Sequence, residues 1–135
     1  VIYRQVVAED ETYEGLYDFL AATETTQESY RIATGYMQQA LWAKALERLE
    51  RAIKAGSIDA DIFNARGVVL TRLARHDEAF AMFERAESLD PDRAGYRMNM
   101  AIVRHLQGRR HEAAVLYQQV VDMEPSYEGY LDLGP

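Results

Sequence analysis

The chain has 135 residues, of which 22 are acidic and 15 basic, so its formal net charge at neutral pH is −7. Hydrophobic residues make up 48% and charged residues 27%, a globular composition that excludes an intrinsically disordered chain. The acidic balance argues against nucleic acid as a partner, because phosphate neutralisation needs clustered Lys and Arg. No apolar run approaches the roughly 20 residues of a membrane-spanning helix, so no membrane insertion is expected.

Residues 1–25 form an acidic N-terminal segment. Seven acidic side chains and one basic side chain lie within residues 1–30, whereas the rest of the chain is nearly neutral. A stripe of apolar residues at helical spacing predicts a capping helix at about residues 10–22. The change in composition places a boundary near residues 23–27, where threonines favour the start of the next helix.

An internal repeat organises the chain from residue 26 onward. Aligning the sequence with itself at a fixed offset places small residues on small ones and large apolar residues on large ones. The superposed sets are Ala45, Ala79 and Ala113; Leu49, Phe83 and Tyr117; Ala33, Gly67 and Ala101; and Ala52, Ala86 and Val120. The period of about 34 residues lies within the range that is typical of solenoid proteins.

Each repeat predicts two helices, because apolar residues recur three and four apart. The predicted helices cover residues 26–39, 42–55, 60–73, 76–89, 94–107 and 110–123. Pro91 and Pro125 follow the second and third helix pairs, and the residue before a proline avoids the helical region. Three repeats are therefore predicted, at residues 26–59, 60–93 and 94–127.

The small residues of the repeat have a mechanical role in this interpretation. Gly67 and Ala79 are expected where the two helices of the second repeat cross, because only a minimal side chain lets the backbones approach closely. Phe83 and its equivalents are expected to fill the space between neighbouring repeats.

These repeats closely resemble the tetratricopeptide repeat, whose signature is W-x2-L-G-x2-Y, then A-x3-F, then P. In the second repeat the matching positions hold Phe63, Arg66, Gly67, Leu70, Ala79, Phe83 and Pro91. The first helices depart from the signature most, through Ser29, Arg66, Arg97 and Arg104. The resemblance covers residues 26–127. It implies an all-α fold, a right-handed α-α superhelix or solenoid of three helix-turn-helix repeats with an N-terminal capping helix.

The two ends of the sequence resemble each other. Residues 3–20 and 117–134 carry the same residue at eight positions, at a constant offset of 114. One interpretation makes the start the tail of an earlier repeat, in a chain that is part of a longer array. The other makes it a processed start followed by an ordinary capping helix. Residues 128–135 are predicted to begin a further helix or to form a C-terminal tail.

No catalytic, metal-binding or cofactor-binding site is predicted. The chain has no cysteine, which excludes thiolate zinc sites, thiol nucleophiles and disulfides and leaves the compartment open between cytoplasm and cell envelope. His76, His105 and His111 lack a metal-chelating helical spacing. The glycines stand singly and form no phosphate-binding loop. We therefore expect no enzymatic activity and no cofactor.

The resemblance implies that the first helix of each repeat lines a concave groove that holds an extended peptide or a partner helix. The residues expected to face the groove are Tyr30, Thr34 and Met37; Asn64, Val68 and Thr71; and Met98, Ile102 and His105. The set is mostly apolar and neutral, with Gln27 and Asp61 at its rim. The absence of a groove lysine disfavours the binding of a C-terminal carboxylate of a heat-shock chaperone, which some members of the family perform. In the alternative, the chain's own N-terminal helix or a second copy covers the stripe.

The sequence predicts a non-enzymatic scaffold or adaptor that binds a protein or peptide partner. Its repeats are rich in Ala and Arg and poor in Lys, which favours a place in a larger bacterial assembly. One alternative is a small acidic chaperone similar to those of type III secretion translocators. Another is a module that forms homo-oligomers through the ends of the array.

Overall fold

The computed structural model describes residues 26–133, which form six α-helices. The helices are α1 Thr26–Gln38, α2 Trp42–Lys54, α3 Ala60–Arg72, α4 His76–Leu89, α5 Ala94–Leu106 and α6 Arg110–Met123, followed by a 3-10 turn at Pro125–Tyr127. This part of the chain contains no strand. The predicted N-terminal segment, residues 1–25, lies outside the described residues.

The helices pack as three hairpins, α1 with α2, α3 with α4 and α5 with α6. Each hairpin then packs on the next through α2 against α3 and α4 against α5. The predicted helix ends agree with the observed ones to within one residue. The all-α solenoid expected from the sequence is confirmed.

The same tight turn closes all three hairpins. Ala40, Ala74 and Gly108 occupy the same position of the three repeats, just after the first helices, and they have φ values of 58°, 59° and 77°. In the second hairpin, the N–H of Arg75 donates to the carbonyl of Leu70 at 2.9 Å, which satisfies a carbonyl at the end of α3. A residue in the left-handed conformation therefore ends the first helix at the same position of each repeat.

The narrowest contact in the core joins Gly67 on α3 to Phe83 on α4. A Cβ atom added to Gly67 would lie 2.5 Å from Cε1 of Phe83, well inside van der Waals contact. Phe83 is 1% exposed. The expectation that Phe83 fills the space between repeats is therefore incomplete, because its ring packs first on α3 of its own hairpin. It also lines a cavity with Asn99 and Ile102 of the next hairpin.

The arginines that depart from the repeat signature bridge neighbouring helices. Arg97 donates two hydrogen bonds to the carboxylate of Glu87, at 2.8 and 2.6 Å, and so links α5 to α4. Arg104 stacks on the ring of Phe80, 3.7 Å from the centroid, and its Nε lies 3.2 Å from the carboxylate of Glu112. Long guanidinium side chains thus replace apolar packing at these positions, because their stems can lie on apolar surface while their charges are paired.

Residues 125–133, which we call the C-terminal strap, fold back on α5 and α6. The Tyr117 hydroxyl donates to the carbonyl of Tyr127 at 2.7 Å and accepts the N–H groups of Tyr130 and Leu131 at 3.1 and 3.4 Å. Beneath the strap lies a small apolar cluster built on Ala94, Met98 and Val120. Residues 128–133 of the strap form no helix.

The contact between Gly67 and Phe83 can be tested with two matched glycine substitutions. Gly67→Ala is expected to lower the free energy of unfolding by about 1–3 kcal/mol, because the added methyl group overlaps the Phe83 ring. Gly35→Ala, inside α1, meets no atom within 4 Å and is expected to raise it by about 0.5–1 kcal/mol. Urea denaturation followed by circular dichroism measures both. Equal effects of the two substitutions would show that the close approach is not a constraint.

Candidate functional site

The first helices of the second and third hairpins, α3 and α5, contact each other directly. Two cavities lie along this contact, and we call the surface formed by their lining residues the α3–α5 groove. Five of the six residues predicted to face a binding groove on these two helices line one of the cavities, and the sixth, His105, lines neither. This placement follows from the fold, because hairpins that stack in register bring their first helices side by side.

The first cavity, of about 470 Å³, is mainly apolar and is called the apolar cavity below. Its lining residues are Val68, Thr71, Arg72, Phe83, Asn99, Ile102 and Leu106. Leu106 is 54% exposed, although it is a large aliphatic side chain on a helix of the core. The cavity therefore offers a partly open apolar surface with a single charged residue, Arg72.

Arg72 also contacts the only tryptophan of the chain. Its guanidinium carbon lies 5.7 Å from the centroid of the Trp42 ring on α2. Cations over indole rings are stabilised by the ring quadrupole. A ligand that moves Arg72 should therefore change the fluorescence of Trp42.

The second cavity, of about 460 Å³, is polar and is called the polar cavity below. It is lined by the charged residues Asp61, Asp92, Arg93 and Glu124, by the rings of Tyr96 and Tyr127, and by Asn64, Ala94, Gly95, Met98 and Asn99. With three carboxylates and one guanidinium in its lining, this cavity carries a net negative charge. Its chemistry therefore differs from that of the apolar cavity beside it.

A hydrogen bond between two asparagines divides the groove. The Asn99 side-chain amide donates to Oδ1 of Asn64 at 2.8 Å, and Asn99 lines both cavities. Among the described residues the bond occupies one group of each amide, so the Asn64 NH2 and the Asn99 carbonyl remain for a ligand. One donor and one acceptor at the centre of the groove match the bonding groups of an extended peptide backbone.

The rim of the polar cavity holds a closed charge network. Arg93 donates to Asp61 at 2.7 Å and to the Tyr96 hydroxyl at 3.1 Å, and that hydroxyl lies 3.2 Å from the same Asp61 oxygen. Burial raises the pKa of Tyr96 above its usual value. Burial, followed by the negative charges of Asp61 and Asp59, raises the pKa of Tyr30 as well. Both phenols are therefore neutral hydrogen-bond donors at physiological pH.

Four of the nine predicted groove residues, Tyr30, Thr34, Met37 and His105, line neither cavity. Tyr30 and Met37 on α1 pack partly against the main core, outside the two cavities. The Thr34 hydroxyl donates to the carbonyl of Tyr30 at 2.9 Å, within its own helix. His105 is half-buried on α5 and lines neither cavity. Met98 lines the polar cavity but is only 6% exposed, since the apolar cluster beneath the strap includes it.

Sequence reasoning did not select Arg72, Asn99 and Leu106 for the groove. Arg72 and Leu106 are equivalent positions of successive repeats and extend the predicted stripes by one position, so a longer stripe would have included them. Asn99 does not superpose on Asn64, because their separation of 35 positions exceeds the repeat period by one. The fixed register selected Met98 instead, and nothing local in the sequence signals that shift.

The described residues, 26–133, contain no group of three or more His, Asp or Glu side chains that could hold a metal ion. None of the helices in that range is long and apolar enough to cross a bilayer.

The comparisons with known proteins agree with this architecture. The family model for a tetratricopeptide repeat matches residues 30–94. The mouse protein O-mannosyl-transferase TMTC1 is 33% identical over 103 residues, which cover 73% of this chain. The chain spans only 11% of the length of that relative.

Solved structures show the same fold. The Arabidopsis OM64 TPR domain superposes with a TM-score of 0.73 at 19% identity, covering 79% of this chain and 88% of that domain. The first TPR of Spaghetti (RPAP3), bound to the HSP90 peptide SRMEEVD, superposes with a TM-score of 0.70 at 17% identity, covering 75% and 80%. Three stacked helical hairpins with a matching family model define the class. The chain belongs to the tetratricopeptide repeat family.

The electrostatics of the rim can be tested by titrating Tyr30. Asp61→Asn removes a negative charge that raises the pKa of Tyr30, so that pKa is expected to fall. A phenol whose pKa is raised on folding stabilises the fold fully below its unfolded pKa of about 10, and this stability is lost as the pH rises through the folded pKa. NMR of 13C-labelled tyrosine rings above pH 9 measures the shift. Asp92→Asn is the control and should leave the Tyr30 pKa unchanged. An unchanged Tyr30 pKa in Asp61→Asn would contradict the effect of the Asp61 charge on Tyr30.

Proposed function

We propose that this chain is a non-enzymatic interaction module that binds an extended peptide of a partner protein in the α3–α5 groove. The observation that carries the proposal is the apolar cavity beside the Asn64–Asn99 pair. Solenoid arrays commonly use such surfaces between repeats for binding. The structure of the first RPAP3 TPR with a bound peptide supports the same use of the fold here.

The apolar cavity would supply most of the affinity. Its volume of about 470 Å³ falls within the range of ligand pockets and accepts a large aliphatic or aromatic side chain. Complete burial of such a side chain contributes about 1.5–3 kcal/mol. Asn64 and Asn99 would bond the peptide backbone next to this anchor and so fix its register.

The polar cavity would select against acidic peptides. Asp61 forms an ion pair with Arg93 and so neutralises the cavity's one positive charge, and Asp92 and Glu124 add negative charge to the lining. The peptide bound by the RPAP3 domain carries two glutamates and an aspartate. We therefore propose a partner segment with an apolar anchor and no acidic cluster, which agrees with the absence of a groove lysine.

The wider setting stays a prediction from composition. A place in a larger bacterial assembly is supported by the Ala- and Arg-rich, Lys-poor repeats. A role as a small acidic secretion chaperone remains the alternative. Both place the partner's binding segment in the same groove.

The groove proposal is tested with two exposed aliphatic residues of similar accessibility. Leu106, which is 54% exposed, lines the apolar cavity, whereas Val115, which is 47% exposed, lies on α6 and lines neither cavity. Peptides selected from a phage-displayed random library on the wild-type chain are expected to bind Leu106→Glu at least tenfold more weakly. The same peptides should bind Val115→Glu normally.

Trp42 fluorescence provides a second measurement of peptide binding, because Arg72 lies over the Trp42 ring and also lines the apolar cavity. We expect the selected peptides to change it in the wild type and in Val115→Glu. Selection of no peptide, or equal binding to all three proteins, would contradict a peptide site at the α3–α5 groove.

A further inference from the structure

The C-terminal strap shows which kind of segment the last hairpin accepts. Its seat, which we define as Tyr117, Arg110, Gly95, Met98 and Val120, lies on α5 and α6. The strap covers Met98 and Val120, which are 6% and 0% exposed, and Leu131 packs against the same cluster. The seat is therefore an apolar surface with an observed occupant.

The seat holds the strap mainly through its backbone. The Tyr117 hydroxyl bonds the carbonyl of Tyr127 and the N–H groups of Tyr130 and Leu131. Arg110 donates to the carbonyl of Leu133. Bonds of this kind do not depend on the side chains at positions 130, 131 and 133.

Two side-chain requirements accompany these bonds. Gly129 has φ of +86°, a conformation that disfavours any residue with a Cβ atom. The Tyr127 hydroxyl lies next to Gly95, 3.6 Å from the position a Cβ would take there. A segment that fits the seat therefore needs a tyrosine, a glycine two residues later, and an apolar residue two positions after the glycine.

The chain carries a second segment that meets these requirements. Residues 13–20 read YEGLYDFL, and residues 127–134 read YEGYLDLG. Tyr13 and Gly15 correspond to Tyr127 and Gly129, and Tyr17 corresponds to Leu131. The N-terminal segment adds Phe19 and Leu20 where the strap has Leu133 and Gly134, so it is the more apolar of the two.

We propose that the seat of one molecule binds residues 13–20 of a second copy of this chain, in exchange for its own strap. This contact is heterologous, because the seat on α5 and α6 of one copy receives a different surface, residues 13–20, of another. Repetition of the contact joins copies head to tail. It shares Gly95, Met98 and Tyr127 with the polar cavity, but it does not use the apolar cavity around Leu106, which carries the proposed function.

The strap competes with the incoming segment and keeps the association weak. Being tethered, the strap acts at an effective concentration on the order of millimolar. The apparent dissociation constant of the second segment is its intrinsic value divided by the fraction of open seats. Any change that releases the strap should therefore strengthen binding in trans.

The experiment uses a fluorescent peptide of residues 11–22 and the full-length chain, measured by fluorescence anisotropy. Gly129→Val strains the strap through its positive φ, since a Cβ there meets no atom within 4 Å, and roughly tenfold tighter binding of the peptide is expected. Gly56→Val introduces the same strain at φ of +93° far from the seat, and it should bind like the wild type. Tyr127→Ala releases the strap by a second route.

Three controls identify the site. A peptide with Gly15→Val should not bind. The double variant Gly129→Val with Tyr117→Phe should bind at least fivefold more weakly than Gly129→Val alone. Leu106→Glu, which alters the groove, should leave the affinity of the peptide unchanged, so that failure here and failure of the groove proposal remain distinct.

Sedimentation velocity then tests whether the contact joins whole chains. The mass of Gly129→Val is expected to rise with concentration, and the additional Gly15→Val substitution should abolish that rise. The proposal is overturned if neither released variant, Gly129→Val or Tyr127→Ala, binds the peptide. It is equally overturned if the peptide binds but the full-length variants stay monomeric. In that case residues 13–20 of the whole chain do not bind the seat of a second copy.

Discussion

The close approach of the two helices within each hairpin is the constraint on which the rest of the structure depends. In the second hairpin, Gly67 leaves no room for a methyl group beneath the ring of Phe83. Ala33 and Ala101 occupy the same repeat position in the other hairpins and are fully buried. Because small residues recur at this position, all three hairpins have a similar thickness and can stack in register. Stacking in register brings α3 and α5 side by side, and the two cavities lie along their contact.

The groove combines two environments that a single repeat could not supply. Phe83 comes from the second helix of one hairpin, and Ile102 and Asn99 come from the first helix of the next. The Asn64–Asn99 bond crosses the same boundary and separates apolar from acidic surface. A change in the stacking of these two hairpins would therefore alter both cavities together. This dependence makes the groove a property of the array.

Departures from the repeat signature are accommodated by contacts between neighbouring helices. Arg97 and Arg104 occupy positions that are apolar in the signature, yet each pairs with a carboxylate of a neighbouring helix, Glu87 or Glu112. Arg104 also stacks on Phe80, so its planar group replaces part of the lost apolar contact. These partners are not recognisable from the sequence, because they lie on different helices and outside the repeat register.

The sequence by itself determined the helices, their ends and their pairing, because periodicity, turn residues and prolines act over a few residues. It also identified Val68, Thr71 and Ile102, three residues that line the apolar cavity. Only the tertiary structure decided that Asn99 bonds to Asn64 and lines both cavities, while Met98, the residue in register, is covered by the strap. The physical reason is that local patterns specify which face of a helix is apolar, whereas the packing of distant segments decides which part of that face remains accessible.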